Sequence, residues 1–213
     1  VLEIGIPVLG EEHPTILQSM CDLALEYVTA RHLDKAEALA VKGLEISRRT
    51  LGNEHEATLY HMSTLAWVYG HQKRYHEALT LAQEAFETSG RVVGNEHLAS
   101  LWAQSILGWM YLAQDHYEAA EAPLTQSVAI SERVFGDGHA LTQFFRSRVI
   151  GLYEQQERYT ELDDLLAKGY EIGRQTHGEE HLHTQLFRHK LLARLPQLAM
   201  FLTDQYNEGR DED

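Results

Sequence analysis

The chain has 213 residues, with 18 Lys plus Arg against 32 Asp plus Glu, and its formal net charge is -14. That balance disfavours nucleic acid and anionic membrane as partners, since both need a basic footprint, while a 44% share of hydrophobic residues argues for a folded chain. A single cysteine excludes an internal disulfide or a Cys-rich zinc site, and neither a membrane-spanning apolar run nor a signal-peptide pattern is present, so a cytoplasmic protein is expected.

One period organises everything else. Gly10, Gly52, Gly94, Gly136 and Gly178 stand 42 residues apart, and each is followed three residues later by a histidine: His13, His55, His97, His139 and His181. The joints read LGEEH, LGNEH, VGNEH, FGDGH and HGEEH. Five copies in one register define a repeat. Within each unit two apolar stretches at spacings of three and four predict a pair of helices, A then B.

In chain order, residues 1–8 read as the end of a helix B from a preceding repeat, because VLEIGIPVLG aligns with GLEISRRTLG at 43–52. No initiator Met precedes them, so the chain is expected to be a fragment of a longer array. Residues 9–50 form the first full unit, with Pro14 at a first helical position. In the second, 51–92, Leu59, Met62, Leu65, Ala66 and Tyr69 mark helix A. Ala78, Leu79, Ala82, Ala85 and Phe86 mark helix B. The third unit is 93–134, where Pro123 predicts a kink or a late start of helix B. The fourth is 135–176. Residues 177–206 form a degenerate fifth unit or C-terminal cap: Leu191, Leu192 and Leu195 continue helix A, and Pro196 begins a short segment carrying Leu198, Phe201 and Leu202. The acidic residues 207–213 are expected to be disordered.

The joints have a physical logic. Arg48, Arg49, Arg91, Arg133 and Arg174 suit the negative ends of B helices, and each glycine supplies a positive-φ stop. Acidic residues then precede the positive N-terminus of the next helix A.

Leu23-Ala24, Leu65-Ala66, Leu107-Gly108 and Val149-Ile150 are each followed by a tyrosine three residues after the second position: Tyr27, Tyr69, Tyr111 and Tyr153. Nine residues beyond come Ala36, Ala78, Ala120 and Leu162. This pattern resembles the tetratricopeptide repeat. Its 42-residue length and Leu-Gly-x-Glu-His joint are similar to the repeats of kinesin light chains, and to arrays attached to signalling ATPases and kinases. The resemblance implies an all-α, right-handed α-solenoid of helix-turn-helix repeats whose A helices line a concave groove. It implies a protein-interaction scaffold, not an enzyme, with a protein or peptide partner. Kinesin light chains carry Asn-Asn before the Leu-Ala pair; here Cys21-Asp22, Ser63-Thr64, Ser105-Ile106 and Ser147-Arg148 stand there, so that family's cargo specificity is not carried over.

Counting from the Leu-x-x-x-Tyr core places Gln18 and Leu25, Tyr60 and Trp67, Trp102 and Trp109, and Phe144 and Gly151 on the groove side. Aromatic anchors of this kind dominate binding hot spots. Tyr60, Trp67, Trp102, Trp109 and Phe144 are therefore the expected anchors. Ser63, Thr64, His71, Ser105, Ser147, Arg148, Glu154 and Gln155 are the expected polar rim. Packing of the same rings between repeats is the competing reading. A second functional reading is a regulatory or self-associating arm of a larger ATPase or kinase, with homo-oligomerisation left open.

No cofactor or metal is implied. Joint histidines one repeat apart cannot share an ion, because packed helices are about 8–10 Å apart and zinc–nitrogen bonds only about 2.0–2.1 Å. His177, His181 and His183 are closer, but Gly178 breaks the helix between them. Neither His55-Glu56 nor His76-Glu77 completes H-E-x-x-H, and no nucleophile elbow or phosphate loop occurs. Cys21 reads as a structural thiol.

Overall fold

The structure, a computed structural model, describes the backbone of residues 2–208 and the side chains of residues 2–196. Among the described residues there are ten helices and no strand. They are α1 (Leu2–Leu9), α2 (Pro14–Thr29), α3 (Leu33–Leu51), α4 (Glu56–His71), α5 (Tyr75–Val92), α6 (Leu98–Leu112), α7 (Tyr117–Phe135), α8 (Ala140–Gln155), α9 (Tyr159–His177) and α10 (Leu182–Glu208). The even-numbered helices α2, α4, α6, α8 and α10 are the A helices of the repeat; the odd-numbered ones are the B helices. Two compact units divide the chain, Val1–Ile130 and Ser131–Asp213.

Each helix A begins in the same way. The five joint glycines have φ between 85° and 91°, and Gly52 and Gly178 have ψ of 167° and 169°. This is the mirror image of extended backbone rather than the left-handed helical region, and only glycine enters it readily. In α2, α4, α6 and α8 the following histidine is the N-cap. His13, His55, His97 and His139 each accept, through Nδ1, the backbone N–H two residues on, at 3.1–3.3 Å. This satisfies one of the donors a helix start leaves unpaired. A third element was not anticipated from the sequence. Thr58, Ser100 and Thr142 each donate a side-chain hydroxyl to the carbonyl of the joint glycine six residues earlier, at 2.7–2.9 Å.

The turn from A to B is equally regular. Arg31, Lys73, Asp115 and Glu157 all have φ of 56–62°, although none is a glycine. Each is followed by an N–H donated back to the carbonyl of Tyr27, Tyr69, Tyr111 or Tyr153 at 2.8–3.0 Å, which is the Schellman closure of a helix C-terminus. The tyrosine thus marks where the chain reverses.

In the first unit α3 and α5 each pack on their own helix A and on the next one, and α2, α4 and α6 touch in sequence. The core runs along these faces through Ala24, Ala36, Ala40, Leu59, Met62, Leu65, Ala85 and Ala103, with Tyr27, Tyr69 and Phe86 packed against it. Ala36, Ala78 and Ala120 are fully buried, as their spacing from the tyrosines predicts. Ile16, Leu17, Met20 and Ile46 form a separate cluster with Leu2 and Ile6 of α1. In the second unit Ile150, Leu162, Leu166 and Phe187 play the corresponding part. There Arg146 is fully buried, donating to Glu132 at 2.6 Å and Asp137 at 2.8 Å. Lys168 reaches the same two carboxylates, so the buried charge is compensated. Burial pushes Asp137 up, but the Lys168 hydrogen bond and the neighbouring cations hold its carboxyl below the ordinary range.

Two boundaries differ from expectation. Helix α7 starts at Tyr117 and contains Pro123, so its start is not delayed; Pro123, the seventh residue, lies past the free N–H groups of the first turn and forgoes one ladder bond, which the helix absorbs. Helix α10 likewise continues through Pro196 to Glu208. Pro196 therefore does not open a separate segment, and Asn207 and Glu208 belong to the helix. The expected tail at 209–213, and the side chains of Leu198, Phe201 and Leu202, lie outside the described residues.

The joint conformation and the turn conformation give opposite expectations for substitution. A Cβ added at Gly52 meets nothing within 4 Å, yet Gly52→Ala is expected to cost about 1–3 kcal/mol because the backbone itself is strained. Lys73→Gly is expected to stabilise by roughly 0.5–1 kcal/mol, by relieving a left-handed residue. Urea unfolding of the two variants checks both signs.

Candidate functional site

The predicted anchors of the first unit come together on α4 and α6. Tyr60 stacks on Trp102 with ring centroids 6.3 Å apart. Trp67 lies 5.9 Å from Trp102 and 4.6 Å from Trp109. His71 closes the row, 4.8 Å from both Trp67 and Trp109. The order Tyr60, Trp102, Trp67, Trp109, His71 is a continuous line of rings along two neighbouring A helices. Offset and edge-on contacts at these separations each add about 0.5–1.5 kcal/mol beyond simple burial. Gly70 makes room for the row: a Cβ there would stand 2.7 Å from Trp109 Cζ3 and 2.6 Å from Met110 Cε.

Burial separates these rings into two kinds. Trp102 is 8% exposed and belongs to the core, whereas Tyr60, Trp67, His71 and Trp109 are half-buried. The rings pack on one another rather than solely beneath a helix B, and four of the five keep an accessible edge or face.

The rim is corrected in part. Ser63, Thr64 and Ser105 are buried, not rim residues. They are short side chains in rows whose neighbours one turn away are aromatic, so they lie beneath the level of the rings. Ser63 and Thr64 donate to the carbonyls of Leu59 and Tyr60 at 3.0 and 2.9 Å, which satisfies them without solvent. Gln18 is exposed and donates to Asp22 at 3.0 Å.

In the second unit Phe144 is half-buried on α8. The Arg148 guanidinium lies 4.7 Å over its ring, and His183 meets it edge-on at 6.1 Å. Desolvation lowers the Arg148 pKa to about 10, which leaves it a cation at neutral pH. Ser147 donates to Phe144 O at 2.7 Å, and Glu154 pairs with Lys190. His183 is held down to about 4 by burial and by the fields of His181, Arg148 and His177. His177 and His181 stack face to face, with centroids 4.6 Å apart. Among the described residues no group of three or more His, Cys, Asp or Glu is placed to hold a metal ion, and no helix is long and apolar enough to cross a membrane.

Cys21 Sγ lies 3.1 Å from His61 Nδ1, the contact a thiol–imidazole nucleophile would use. Its electrostatics run the other way. Burial pushes the thiol up to about 12, despite a hydrogen bond with Thr64. Burial also holds His61 down to about 4. Both partners are therefore neutral near pH 7, and a nucleophilic cysteine requires the thiolate. The pair is a core contact.

With this geometry in view, comparison with known proteins identifies the class. Residues 33–89 and 68–133 match the tetratricopeptide repeat family model, and this part of the chain is a tetratricopeptide repeat array. The same fold extends over the wider chain. A Podosopora anserina protein described as a kinesin light chain with nearly identical TPR-like repeats superimposes with a TM-score of 0.69 at 24% identity, covering 94% of this chain and 97% of its own. A single-substitution variant of that protein gives a TM-score of 0.70 over 92% and 95%. BtubC (BKLC) from P. vanneervenii gives 0.67 at 14% identity, over 90% and 82%. At these identities the similarity carries the fold. No curated protein sequence matches the chain.

The His61 environment sets a pH dependence. Its folded-state pKa lies below the unfolded value, so the unfolded chain binds the proton first and stability falls as pH drops from about 6.5 toward 4. Urea titrations at pH 7 and pH 5 should show the wild-type chain losing about 2 kcal/mol more than His61→Gln over that interval.

Proposed function

We propose that the chain is a binding module that takes a peptide or an extended protein segment on the face formed by its A helices. The aromatic row on α4 and α6 carries this reading. Large apolar rings left half-open at the surface are unusual unless a partner covers them, and tryptophan and tyrosine are the residues most enriched at binding hot spots. A tetratricopeptide array is in general a protein-interaction scaffold, which is the class of activity the matched repeats support.

Trp67 and Trp109 are the central anchors in this reading, with Tyr60 and His71 at the two ends of the row. Trp102 supports them from below: its ring holds Tyr60 and Trp67 in place while offering little surface itself. Phe144, with Arg148 stacked on it, is the corresponding apolar position of the second unit. Ser63 and Ser105 act only as spacers that let the rings settle. The work done on the partner is binding rather than chemistry, in keeping with the neutral Cys21–His61 pair.

Peptides selected from a random library on the wild-type chain test this. Trp67→Ala and Trp109→Ala should each weaken the selected peptides at least tenfold, a loss of about 1.4 kcal/mol or more, while leaving the helical circular dichroism intact. Unchanged affinity in both variants would remove the A-helix face as the binding surface.

A further inference from the structure

At its Tyr60 end the aromatic row opens into a cavity of about 280 Å³, lined by Gln18, His55, Glu56, Tyr60 and Leu98. That volume is just under the range of roughly 300–1,000 Å³ that accommodates a drug-sized ligand, and it suits a single side chain. Its floor is apolar and aromatic. Its one formal charge is the Glu56 carboxylate.

The formal charge around the cavity is acidic, set against the partial positive charge that the first turns of α4 and α6 bring to its wall. The A helices α2, α4 and α6 contain no lysine or arginine. Of the cations on the neighbouring B helices, Lys42 pairs with Glu11, Arg49 with Glu12 and Arg91 with Glu54 at the joints, Arg48 pairs with Glu84 of α5, and Lys35 lies over the Tyr27 ring. Glu56 stands apart from this pattern. Its side chain is 61% exposed, and its near neighbour of opposite tendency is His97, with Nε2 at 3.7 Å. Among the described residues it has no lysine or arginine partner. The Tyr60 hydroxyl is disfavoured from ionising, first by burial, so it faces the cavity as a neutral donor.

We propose that this cavity is a specificity subsite for the cationic side chain of an arginine or lysine, three residues away in the partner from an apolar anchor seated at Trp67 and Trp109. The inference rests on the A-helix face being the binding surface. Glu56 supplies the counter-charge, and the half-buried Tyr60 ring offers a face for cation–π contact. The spacing follows from the helix. Tyr60 and Trp67 are seven residues apart on α4, about 10 Å at roughly 1.5 Å per residue. An extended peptide advances about 3.3 Å per residue and so covers that distance in three.

Synthetic peptides with Arg-Ser-Ser-Phe cores in Gly/Ser flanks, in both chain directions, are the probes, with Gln or Glu replacing Arg as comparators. Binding is read from tryptophan emission. At low salt one direction of the Arg core is expected to bind at least tenfold more tightly than the Glu core, and Glu56→Gln is expected to erase the difference between Arg and Gln cores. Equal binding of Arg and Glu cores, survival of the Arg preference in Glu56→Gln, or no binding of either Arg core overturns the subsite. The binding face is judged separately: if all cores bind alike and Trp67→Ala abolishes that binding, the face stands and only the cationic subsite falls.

Discussion

Each helix A in this chain starts from a backbone conformation closed to every residue but glycine without strain. A φ near 88° at Gly10, Gly52, Gly94, Gly136 and Gly178 turns the chain out of one helix B and aims it into the next helix A. At the first four joints the imidazole of the following histidine then accepts a helix N–H, and in three of them a Ser or Thr hydroxyl ties the helix back to the glycine carbonyl. Because the joint recurs every 42 residues, its geometry recurs too, and successive A helices α2, α4 and α6 are laid side by side. The aromatic row is a consequence. Rings from α4 and α6 stack because the joints set those two helices in the same register.

Much of this was legible in the sequence. The period, the glycines, the tyrosine at the end of helix A and the small residue nine positions later all correspond to fixed structural tasks. Their spacing states those tasks directly. The period rules out a shared metal ion at the joint histidines, and the structure gives four of them a task, the N-cap. The hydroxyl at Thr58, Ser100 and Thr142 was equally periodic and could have been found by the same alignment. It is hard to single out because serine and threonine carry no distinctive signal inside a helix.

The candidate site was legible in outline only. Helical spacing grouped Tyr60, Trp67, Trp102 and Trp109, whose rings do meet, but spacing gives direction and not depth. Ser63 and Ser105 share that face and lie buried, since a short side chain between large rings is roofed over. Trp102 is deeper than Trp67 although Trp67 meets more rings, so ring contacts alone do not set depth. Pro196 misled in another way. The rule that proline ends helices is a rule about energy, and a long helix can absorb the loss. Nor does composition reveal a buried Arg146 shared between Glu132 and Asp137, because its compensation depends on residues brought together by folding.

The Cys21–His61 contact has a use beyond the core it helps to fill. Cys21 is the one thiol in the chain, it is shut away from solvent, and burial keeps it protonated. A thiol reagent can therefore react with it only when α2 lifts from α4. The rate of alkylation in native buffer becomes a gauge of local opening at one helix pair. In an array whose repeats touch only their neighbours, such a gauge separates fraying at the α2–α4 contact from unfolding of the whole chain.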